Sequence, residues 1–449
     1  MRFTAIRKLL ALMTSGAVLI GLAACGSGGS VASVDSSGSA SRTELSVWAW
    51  EPTLMGVVAK FEAKNPGIKV KLQNVGTGNK AYTALDNALQ AGSGVPDVAQ
   101  IEYMAIPQYV IGKHLIDITD RTNGYKGFYT PGTWASVQWG GKVYGLPMDS
   151  GPMAFFYNKD VFDKAGVDAT RVRTWDQYYE AAKRIKAAGS MIMVDYGDAG
   201  VFDSMAWLSG GHPFKTSADG SQVTINLTGD ARTREFTQFW QKMISEGLMD
   251  TKTAPWTEEW FKGFSDGSLA GLLTGAWMPA NFANSAPGAA GKWRVAPMPT
   301  PDGKTRNSEL GGSSLVVMAQ TTKEDAAWQF IEFANHDAAG IRTRVEGGAF
   351  PADPKTLKSK EFLGATTVKN AQGQDVEYFG GQKFNEVLAQ GASQVSTDYQ
   401  FLPFEVYARG KYGDFVGKAF GGEIQLSDGI SAWQRDLRSY AKGQGFEVR

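Results

Sequence analysis

Cysteine is almost absent from this sequence, since its 449 residues include a single one, Cys25. No disulfide can therefore form within the chain. Histidine is also scarce: His114, His212 and His336 are far apart in sequence and have no paired-ligand spacing, which argues against a transition-metal site. We expect no metal ion and no bound cofactor.

Net charge is absent too, because the 45 basic and 45 acidic residues cancel. This balance gives no electrostatic reason to expect binding to nucleic acid or to an anionic membrane surface, and it favours a neutral partner. The chain also lacks a glycine-rich phosphate loop ending in Gly-Lys-Ser/Thr and a Gly-x-Ser-x-Gly motif. Nucleotide-binding and hydrolase functions therefore lose their main support in the sequence.

The N-terminal region predicts export. Three basic residues precede an apolar run over residues 9–22, which is too short for a confident membrane span and has the charge order of a secretory signal. Leu22-Ala23-Ala24-Cys25 then matches the lipobox of bacterial lipoproteins. We predict that residues 1–24 are a lipoprotein signal peptide and that Cys25 is lipidated. Ordinary signal cleavage near Ala24 is the alternative.

A flexible tether is expected over residues 25–43, because residues 26–41 are almost entirely Gly, Ser, Ala and Val and cannot bury enough apolar surface to fold. A lipid anchor with such a tether holds a globular domain at a membrane without inserting it. The anchor would be the protein's only attachment to the membrane.

The folded part begins at Glu44 with alternating strand and helix patterns. Strands at residues 45–49, 68–72 and 98–101 are separated by helical patterns, an order that calls for right-handed crossovers and a parallel sheet. Ligands of such sheets lie beyond the carboxyl ends of the strands. This rule selects four residues that follow the first and third strands, namely Trp50, Glu51, Glu102 and Tyr103.

A change of direction is predicted near residue 150. A short strand over residues 143–146 and a second apolar run over residues 153–157 are joined by the turn-prone Asp149-Ser150-Gly151-Pro152. Since the chain is long for one compact domain, two domains are expected, and this junction fits a crossing between two halves. Asp149 and Ser150 at the crossing are further ligand candidates.

The residues from Pro147 to Lys164 carry a family resemblance. Their spacing of a small acid, a small residue, two aromatics, Tyr157-Asn158, Phe162 and Lys164 resembles the signature of the family 1 extracellular solute-binding proteins of ABC sugar importers. The resemblance implies an α/β, two-lobed periplasmic-binding-protein fold of type II, each lobe a β-sheet flanked by helices, with hinge crossings between the lobes. We predict a first lobe of residues 44–150 and 313–347 and a second lobe of residues 151–312 and 348–449.

The second lobe supplies the remaining candidates. Tyr196 and Asp198 follow a buried strand at residues 191–194, and Trp277 follows a strand at residues 269–274 and aligns with the stacking tryptophan of the family. Phe350 lies at the expected third crossing, and Tyr407 lies in an aromatic-rich stretch. The predicted ligand-binding residues are thus Trp50, Glu51, Glu102, Tyr103, Asp149, Ser150, Tyr196, Asp198, Trp277, Phe350 and Tyr407.

Together these patterns favour a monomeric, lipid-anchored binding protein and not an enzyme. As the family resemblance implies, it would capture an oligosaccharide outside the cell, close over it at the hinge and present it to the permease of an ABC transporter. A lipid anchor suits the surface of a Gram-positive cell. Two alternatives remain open: a lipid-anchored glycoside hydrolase using two of Glu51, Glu102, Asp149 and Asp198, or a peptide or polyamine binder with the same fold.

Overall fold

The structure is a computed structural model that describes residues 42–197 and 199–449. Cys25, the signal peptide and all but the last two residues of the predicted tether lie outside the described residues, and so does Asp198.

The strands of the described chain are short and numerous. In chain order they are β1 (Thr43–Trp48), β2 (Ile68–Gln73), β3 (Val98–Glu102), β4 (Gln138–Trp139), β5 (Lys142–Val143), β6 (Leu146–Pro147), β7 (Met153–Asn158), β8 (Met191–Val194), β9 (Phe214–Thr216), β10 (Gln222–Ile225), β11 (Leu269–Gly275), β12 (Trp293–Pro297), β13 (Ser313–Val317), β14 (Val368–Lys369), β15 (Asp375–Val376) and β16 (Glu447–Val448).

The α-helices separate and cover these strands. They are α1 (Leu54–Lys64), α2 (Asn79–Ala91), α3 (Ile106–Ile111), α4 (Pro131–Ser136), α5 (Lys159–Lys164), α6 (Trp175–Ala187), α7 (Ala199–Leu208), α8 (Ala231–Ser245), α9 (Glu258–Asp266), α10 (Met278–Ser285), α11 (Glu324–Asn335), α12 (Ala338–Glu346), α13 (Pro354–Leu357), α14 (Lys360–Gly364), α15 (Phe384–Ala392), α16 (Glu405–Phe420) and α17 (Leu426–Gly443). Several begin at a residue whose side chain accepts a hydrogen bond from the first turn; at α6, Thr174 and Gln177 form a reciprocal capping box.

The first sheet has the strand order β2-β1-β3-β13-β6. Strand β1 pairs in parallel with β2 and β3, which confirms the parallel order predicted for the first three strands. Strand β13 runs antiparallel to β3 and β6, so the complete sheet is mixed. The single strand predicted over residues 143–146 was wrong, because β5 pairs with β4 in a hairpin whereas β6 joins this sheet.

The second sheet has the order β12-β7-β11-β8. Every residue of β7 and β11 is buried, since helices cover both faces of the sheet. Neighbouring side chains of β7 point to opposite faces, so Phe155 enters one apolar cluster with Trp175 and Trp433, and Phe156 enters another with Trp293. A three-stranded sheet, β16-β10-β9, lies apart from this one.

Two bodies result from these sheets. Two buried apolar clusters surround the first sheet, and two others surround the second. We call each sheet together with its two clusters a body, the first body and the second body. The chain passes between them after β6, between β12 and β13, and again after α12. We call residues 148–152, 298–312 and 347–350 the first, second and third crossings.

Helices α11 and α12 of the first body pack at backbone distance. A Cβ atom built on Gly340 of α12 would lie 1.9 Å from the carbonyl oxygen of Phe333 in α11. We therefore expect Gly340→Ala to lower the free energy of unfolding by about 1–3 kcal/mol, as overpacking does. Gly413 in α16 is the matched control, because a Cβ there meets nothing within 4 Å. Gly413→Ala should raise stability by about 0.5–1 kcal/mol. Urea unfolding measures both changes, and equal effects of the two substitutions would contradict the packing argument.

Candidate functional site

The strand ends of both bodies meet around the crossings. In the second sheet, β11 ends at Gly275 opposite Met153, the residue at which β7 begins after the first crossing. Strand β8 runs parallel to β11 and ends at the same edge. In the first sheet, Ser313 begins β13 opposite Glu102 at the end of β3. We call the space between these two edges the cleft, which is where open α/β sheets bind ligands.

The first wall of the cleft is held by Gln100, a residue the sequence analysis missed because it lies inside a strand. Its side-chain oxygen accepts hydrogen bonds from the backbone N–H groups of Trp50 and Glu51, each at 3.0 Å. Its amide donates to the hydroxyl of Ser313 at 2.9 Å. The carboxylate of Glu51 accepts from the backbone and hydroxyl of Thr53 at 3.1 and 2.7 Å. The loop after β1 is therefore fixed before any ligand arrives.

Glu102 lies on the same wall and is held by Tyr82. The Tyr82 hydroxyl donates to the Glu102 carboxylate at 2.9 Å, and the Glu102 backbone N–H donates to the same hydroxyl oxygen at 3.1 Å. The ring of Tyr82 meets that of Trp50 edge to face, with centroids 6.5 Å apart. The predicted residues Trp50 and Glu102 are thus neighbours through Tyr82.

The first two crossings are joined by carboxylates that reach in opposite directions. Asp149 of the first crossing accepts from the backbone N–H of Ser313 at 2.5 Å, next to the second crossing. Glu309 of the second crossing accepts from the Ser150 hydroxyl at 2.8 Å and from the backbone N–H of Gly151. Glu309 is 5% exposed and was not predicted. Each crossing therefore supplies the acceptor for the other.

Two predicted residues are buried within this junction. Ser150 is 2% exposed and donates to Glu309, and Tyr103 is 3% exposed and donates its hydroxyl to the Asp149 carbonyl at 2.6 Å. Their polar atoms are used inside the protein. Arg344 also belongs to this junction. It is buried in α12, just before the third crossing, and donates to the carbonyls of Ala334 in α11 and of Met148 in the first crossing.

The two carboxyl groups at the junction have raised pKa values. Burial, and next the negative charge of Glu51, raise the pKa of Asp149 to about 7. Burial raises the pKa of Glu309 to about 7 as well, against the lowering effect of its bonds from Ser150 and Gly151. Both groups therefore titrate close to neutral pH, at the point where the chain passes between the bodies.

The second wall is aromatic. The Trp277 indole N–H donates to the carbonyl of Leu310 in the second crossing at 2.7 Å. Trp256, which was not predicted, lies 5.6 Å from Trp277 between ring centroids, and its indole N–H donates to Asp195 at 2.5 Å. Asp195 immediately follows β8 and occupies the strand-end position from which the sequence analysis selected Tyr196 and Asp198. In the sequence, Trp256 is marked only by its place directly before Thr257, the N-cap residue of α9.

The hydroxyl groups of Tyr196 and Tyr407 form hydrogen bonds within the second body. The Tyr196 hydroxyl donates to the carbonyls of Thr251 and Thr253 at 3.1 and 3.2 Å. Tyr407 donates to Asp436 at 3.1 Å and stacks on Tyr440 with centroids 3.5 Å apart, so it lies with α17. As ligand residues both stay predictions, and neither of them lines the two cavities described below.

Two cavities open between the bodies. A cavity of about 330 Å³ is lined by Tyr103 and Trp139 from the first body and by Trp207, Tyr399 and Phe401 from the second. A cavity of about 500 Å³ lies between Phe128 and His336 of the first body and Trp277, Phe350 and Phe362 of the second. Three predicted residues, Tyr103, Trp277 and Phe350, line these two cavities, and Glu102 lines a smaller one between the bodies with Trp207 and Arg409.

A buried charged group supports the smaller cavity. Arg409 pairs with Asp203 at 3.0 Å, and the Tyr399 hydroxyl donates to the other oxygen of that carboxylate at 3.1 Å. Tyr399 in turn stacks on Trp207, with centroids 5.3 Å apart and an angle of 10° between the rings. This arrangement holds the aromatic wall of the cavity in place.

Neither a metal site nor a membrane span is found in the described parts of the chain. Among residues 42–197 and 199–449, no three His, Cys, Asp or Glu side chains are grouped so that they could hold a metal ion. Over the same residues, no helix has both the length and the apolar character needed to cross a bilayer.

A family model for the bacterial extracellular solute-binding proteins matches residues 49–341. The chain belongs to this family. A similar solved structure is that of the ABC transporter associated binding protein from B. animalis subsp. lactis in complex with β-1,6-galactobiose, with 59% identity, a TM-score of 0.83 and coverage of 91% of this chain and 100% of that one. The arabinooligosaccharide-binding protein of Bacillus subtilis is 27% identical, over 68% of this chain and 72% of that protein.

These relatives confirm several predictions. The two-lobed α/β fold agrees with the solved structures, which include at 24% identity, with a TM-score of 0.77, the galacto-N-biose-/lacto-N-biose I-binding protein of Bifidobacterium longum. The family consists of binding proteins that serve importers, so the chain is a solute-binding protein of an ABC importer and not an enzyme. The positions of the ligand-binding residues stay predictions.

The raised pKa of Asp149 predicts how stability depends on pH. A carboxyl whose pKa is higher in the folded state holds its proton more tightly there, so stability falls as pH rises from about 4, the value of an unperturbed aspartate, towards 7. Asp149→Asn removes this titration, while its amide oxygen can still accept from Ser313. Between about pH 5 and pH 8 the wild type should lose about 2 kcal/mol of unfolding free energy relative to Asp149→Asn.

Urea unfolding at the two pH values measures this difference. Asp160→Asn is the matched control, because Asp160 is an exposed carboxyl in the first turn of α5. The control should keep the pH dependence of the wild type. If the unfolding free energies of the wild type and Asp149→Asn change by the same amount between the two pH values, Asp149 does not titrate as its burial implies.

Proposed function

We propose that this protein captures a short, galactose-containing oligosaccharide outside the cell and delivers it to the permease of an ABC transporter. One observation carries the choice of sugar: the 59% identity with a binding protein solved with β-1,6-galactobiose, over the whole of that chain. A lactose-binding protein of Rhizobium radiobacter, 26% identical over 78% of this chain, is consistent with the same class.

The chemistry of the cleft supports a neutral sugar. A pyranose ring has apolar C–H faces, which pack on flat aromatic rings, and hydroxyl groups at its rim, which need donors and acceptors. Trp50, Trp277 and Phe350 are aromatic candidates for the faces, and Glu51 and Glu102 are acceptors for the hydroxyls. In the described chain Glu51 and Glu102 already accept hydrogen bonds from protein groups. A polyamine would need carboxylates that converge to neutralise its charges.

Hinge closure is the proposed mechanism, with the two lobes divided as predicted from the sequence. A sugar that contacts both lobes only in the closed state shifts the population towards that state. The three crossings are the elements that would absorb the motion. Asp149, Ser150 and Tyr103 belong to the junction between them, so their proposed part is to shape the cleft at the hinge.

Calorimetry with the purified protein tests the function. We expect heat of binding with β-1,6-galactobiose, lactose or lacto-N-biose, with one sugar per chain and a dissociation constant of about 1 μM or lower for the best ligand, about −8 kcal/mol. Spermidine and a tripeptide should give no heat. Binding of either of these in place of the sugars would assign the cleft to another ligand class, and release of monosaccharide from the disaccharides would make the protein a hydrolase.

The anchor is a second part of the proposal. Cleavage after residue 24, lipidation of Cys25 and a tether over residues 25–43 would hold a monomer at the extracellular face of a Gram-positive membrane, where no outer membrane confines a free binding protein. Equilibrium sedimentation should give the mass of one chain.

Cys25→Ala tests this attachment. The thiol accepts the lipid, so the variant should leave the membrane fraction and appear in the culture medium or in the aqueous phase of a detergent partition. The wild type should stay with the membrane. A matched Thr14→Ala change within the apolar run alters the signal but not the lipidated atom, and it should leave the partition unchanged. A Cys25→Ala variant that has lost residues 1–24 and still stays with the membrane would rule out lipidation at this position.

A further inference from the structure

Glu309 is a buried carboxyl residue at the place where the two bodies meet. Its backbone carbonyl accepts a hydrogen bond from the hydroxyl of Ser204 in α7 of the second body at 2.7 Å. One of its carboxyl oxygens lies 3.9 Å from the position that a Cβ atom on Gly132 of α4 would occupy, so the side chain reaches the first body. Glu309 is therefore covered from both sides of the junction.

The space beside this carboxyl is enclosed by both bodies. Glu309 lines a cavity of about 10 Å³ together with Tyr103 and Ser136 of the first body and Trp207 and Arg409 of the second. A cavity of this size holds about one water molecule. The groups that keep Glu309 from bulk water thus belong to different bodies, and a rotation about the crossings would part them.

The hydrogen-bond partners of the carboxyl are neutral. The Ser150 hydroxyl donates to one of its oxygens at 2.8 Å, and the Gly151 backbone N–H donates to the other. A protonated carboxyl keeps both contacts, because its O–H can donate to the Ser150 oxygen while its other oxygen still accepts from Gly151. The site therefore accommodates the neutral form of Glu309 without losing a hydrogen bond.

The charged groups around Glu309 do not neutralise it. Burial, and to a lesser extent the negative charge of Asp149, raise the pKa of Glu309 to about 7. Arg409 lines the same cavity, but it pairs with Asp203 at 3.0 Å and with Glu405 at 3.7 Å. The other titratable groups that line this cavity or act on Asp149 are Glu102 in β3, Tyr103 after it, Glu51 after β1 and Arg344 in α12.

Asp149 is not covered in the same way. Besides burial, its pKa is set by Glu51, Ser313 and Arg344, and these three residues belong to the first body. Parting the bodies leaves them in place around Asp149. The burial of Glu309, in contrast, depends on the contact between the bodies.

Opening of the cleft would change the proton affinity of Glu309. A carboxyl reached by water returns towards its ordinary pKa of about 4.3, so the closed arrangement holds the proton more tightly than an open one does. The contribution of this proton to closure is complete below about pH 4 and is lost as the pH rises through 7.

We propose that sugar capture is coupled to the uptake of a proton at Glu309, so that the cleft closes and holds its sugar more tightly below neutral pH than above it. This inference rests on the proposed function and on closure about the crossings. It assigns to Glu309 a regulatory part in binding, without any contact between Glu309 and the sugar.

Calorimetry with β-1,6-galactobiose at pH 5.5 and pH 8 tests the coupling in the wild type. The dissociation constant should be about tenfold lower at pH 5.5. At pH 7, binding should take up about half a proton per sugar, because Glu309 is about half protonated in the closed state there and ionised in the open state. The uptake is obtained from the heats measured in phosphate and in Tris buffer, whose ionisation enthalpies differ.

Glu309→Gln fixes the neutral form of this side chain. Its amide oxygen can accept from Gly151 and its amide N–H can donate to Ser150, as the protonated carboxyl would. The variant should bind at pH 8 about as tightly as the wild type does at pH 5.5, without proton uptake. A gain of affinity at pH 8 cannot come from misfolding. Glu180→Gln is the matched control, because the Glu180 carboxylate is 60% exposed in α6, and it should keep the wild-type pH profile.

The outcomes separate this inference from the proposed function. If the wild type binds none of the galactosides at either pH, the proposed function fails and the coupling fails with it. If the wild type binds with dissociation constants within twofold at the two pH values and without proton uptake, the function stands and the coupling is wrong. A folded Glu309→Gln variant that keeps the pH dependence of the wild type would also overturn it, because the proton would then belong to another group.

Discussion

The paired acceptors at the crossings are the constraint on which the rest of this structure depends. Asp149 of the first crossing binds the backbone N–H of Ser313, and Glu309 of the second binds Ser150 and Gly151. Because the bonds run in both directions, neither crossing can shift without losing an acceptor for a buried donor, which is expensive to leave unsatisfied. The register of β13 in the first sheet and of β7 in the second is tied to this junction.

The same junction contains buried groups whose charge depends on pH. Burial raises the pKa values of Asp149 and Glu309 to about 7, so a change of pH near neutrality changes the charge of this junction. Arg344 adds a positive charge that is itself buried, and it bonds the carbonyl just before Asp149. Asp149, Glu309 and Arg344 thus place three ionisable groups where the chain passes between the bodies.

The two walls of the cleft are held by different groups. On the first wall, Gln100 fixes the loop that carries Trp50 and Glu51, and Tyr82 holds Glu102 at the end of β3. On the second wall, Asp195 and the Leu310 carbonyl orient two indoles. These supporting groups hold the side chains at the strand ends in place, so a ligand would meet a surface that is ordered in advance, which lowers the entropy lost on binding.

Local pattern in the sequence was sufficient for many of the elements and for the strand ends beside which the candidate residues lie. The alternation of β1, the capping box at Thr174 and the apolar stripe of α17 act over a few residues, so each can be recognised without its partners. The rule for strand ends brought Trp50, Glu102 and Trp277 to the cleft. The split of residues 143–146 between two sheets was not predictable, because the pairing of those residues with β4 and β13 is not local.

Only the tertiary structure decided which polar groups are available and which are already used. Ser150 meets Glu309 across 159 positions of sequence, and Trp256 meets Asp195 across 61. No periodicity links such pairs, since their contact depends on how the two sheets are connected. The sequence by itself determined the fold class and the family, because the patterns that carry them lie close together along the chain. The buried acid pair and the exposed indole followed only from the packing of distant segments.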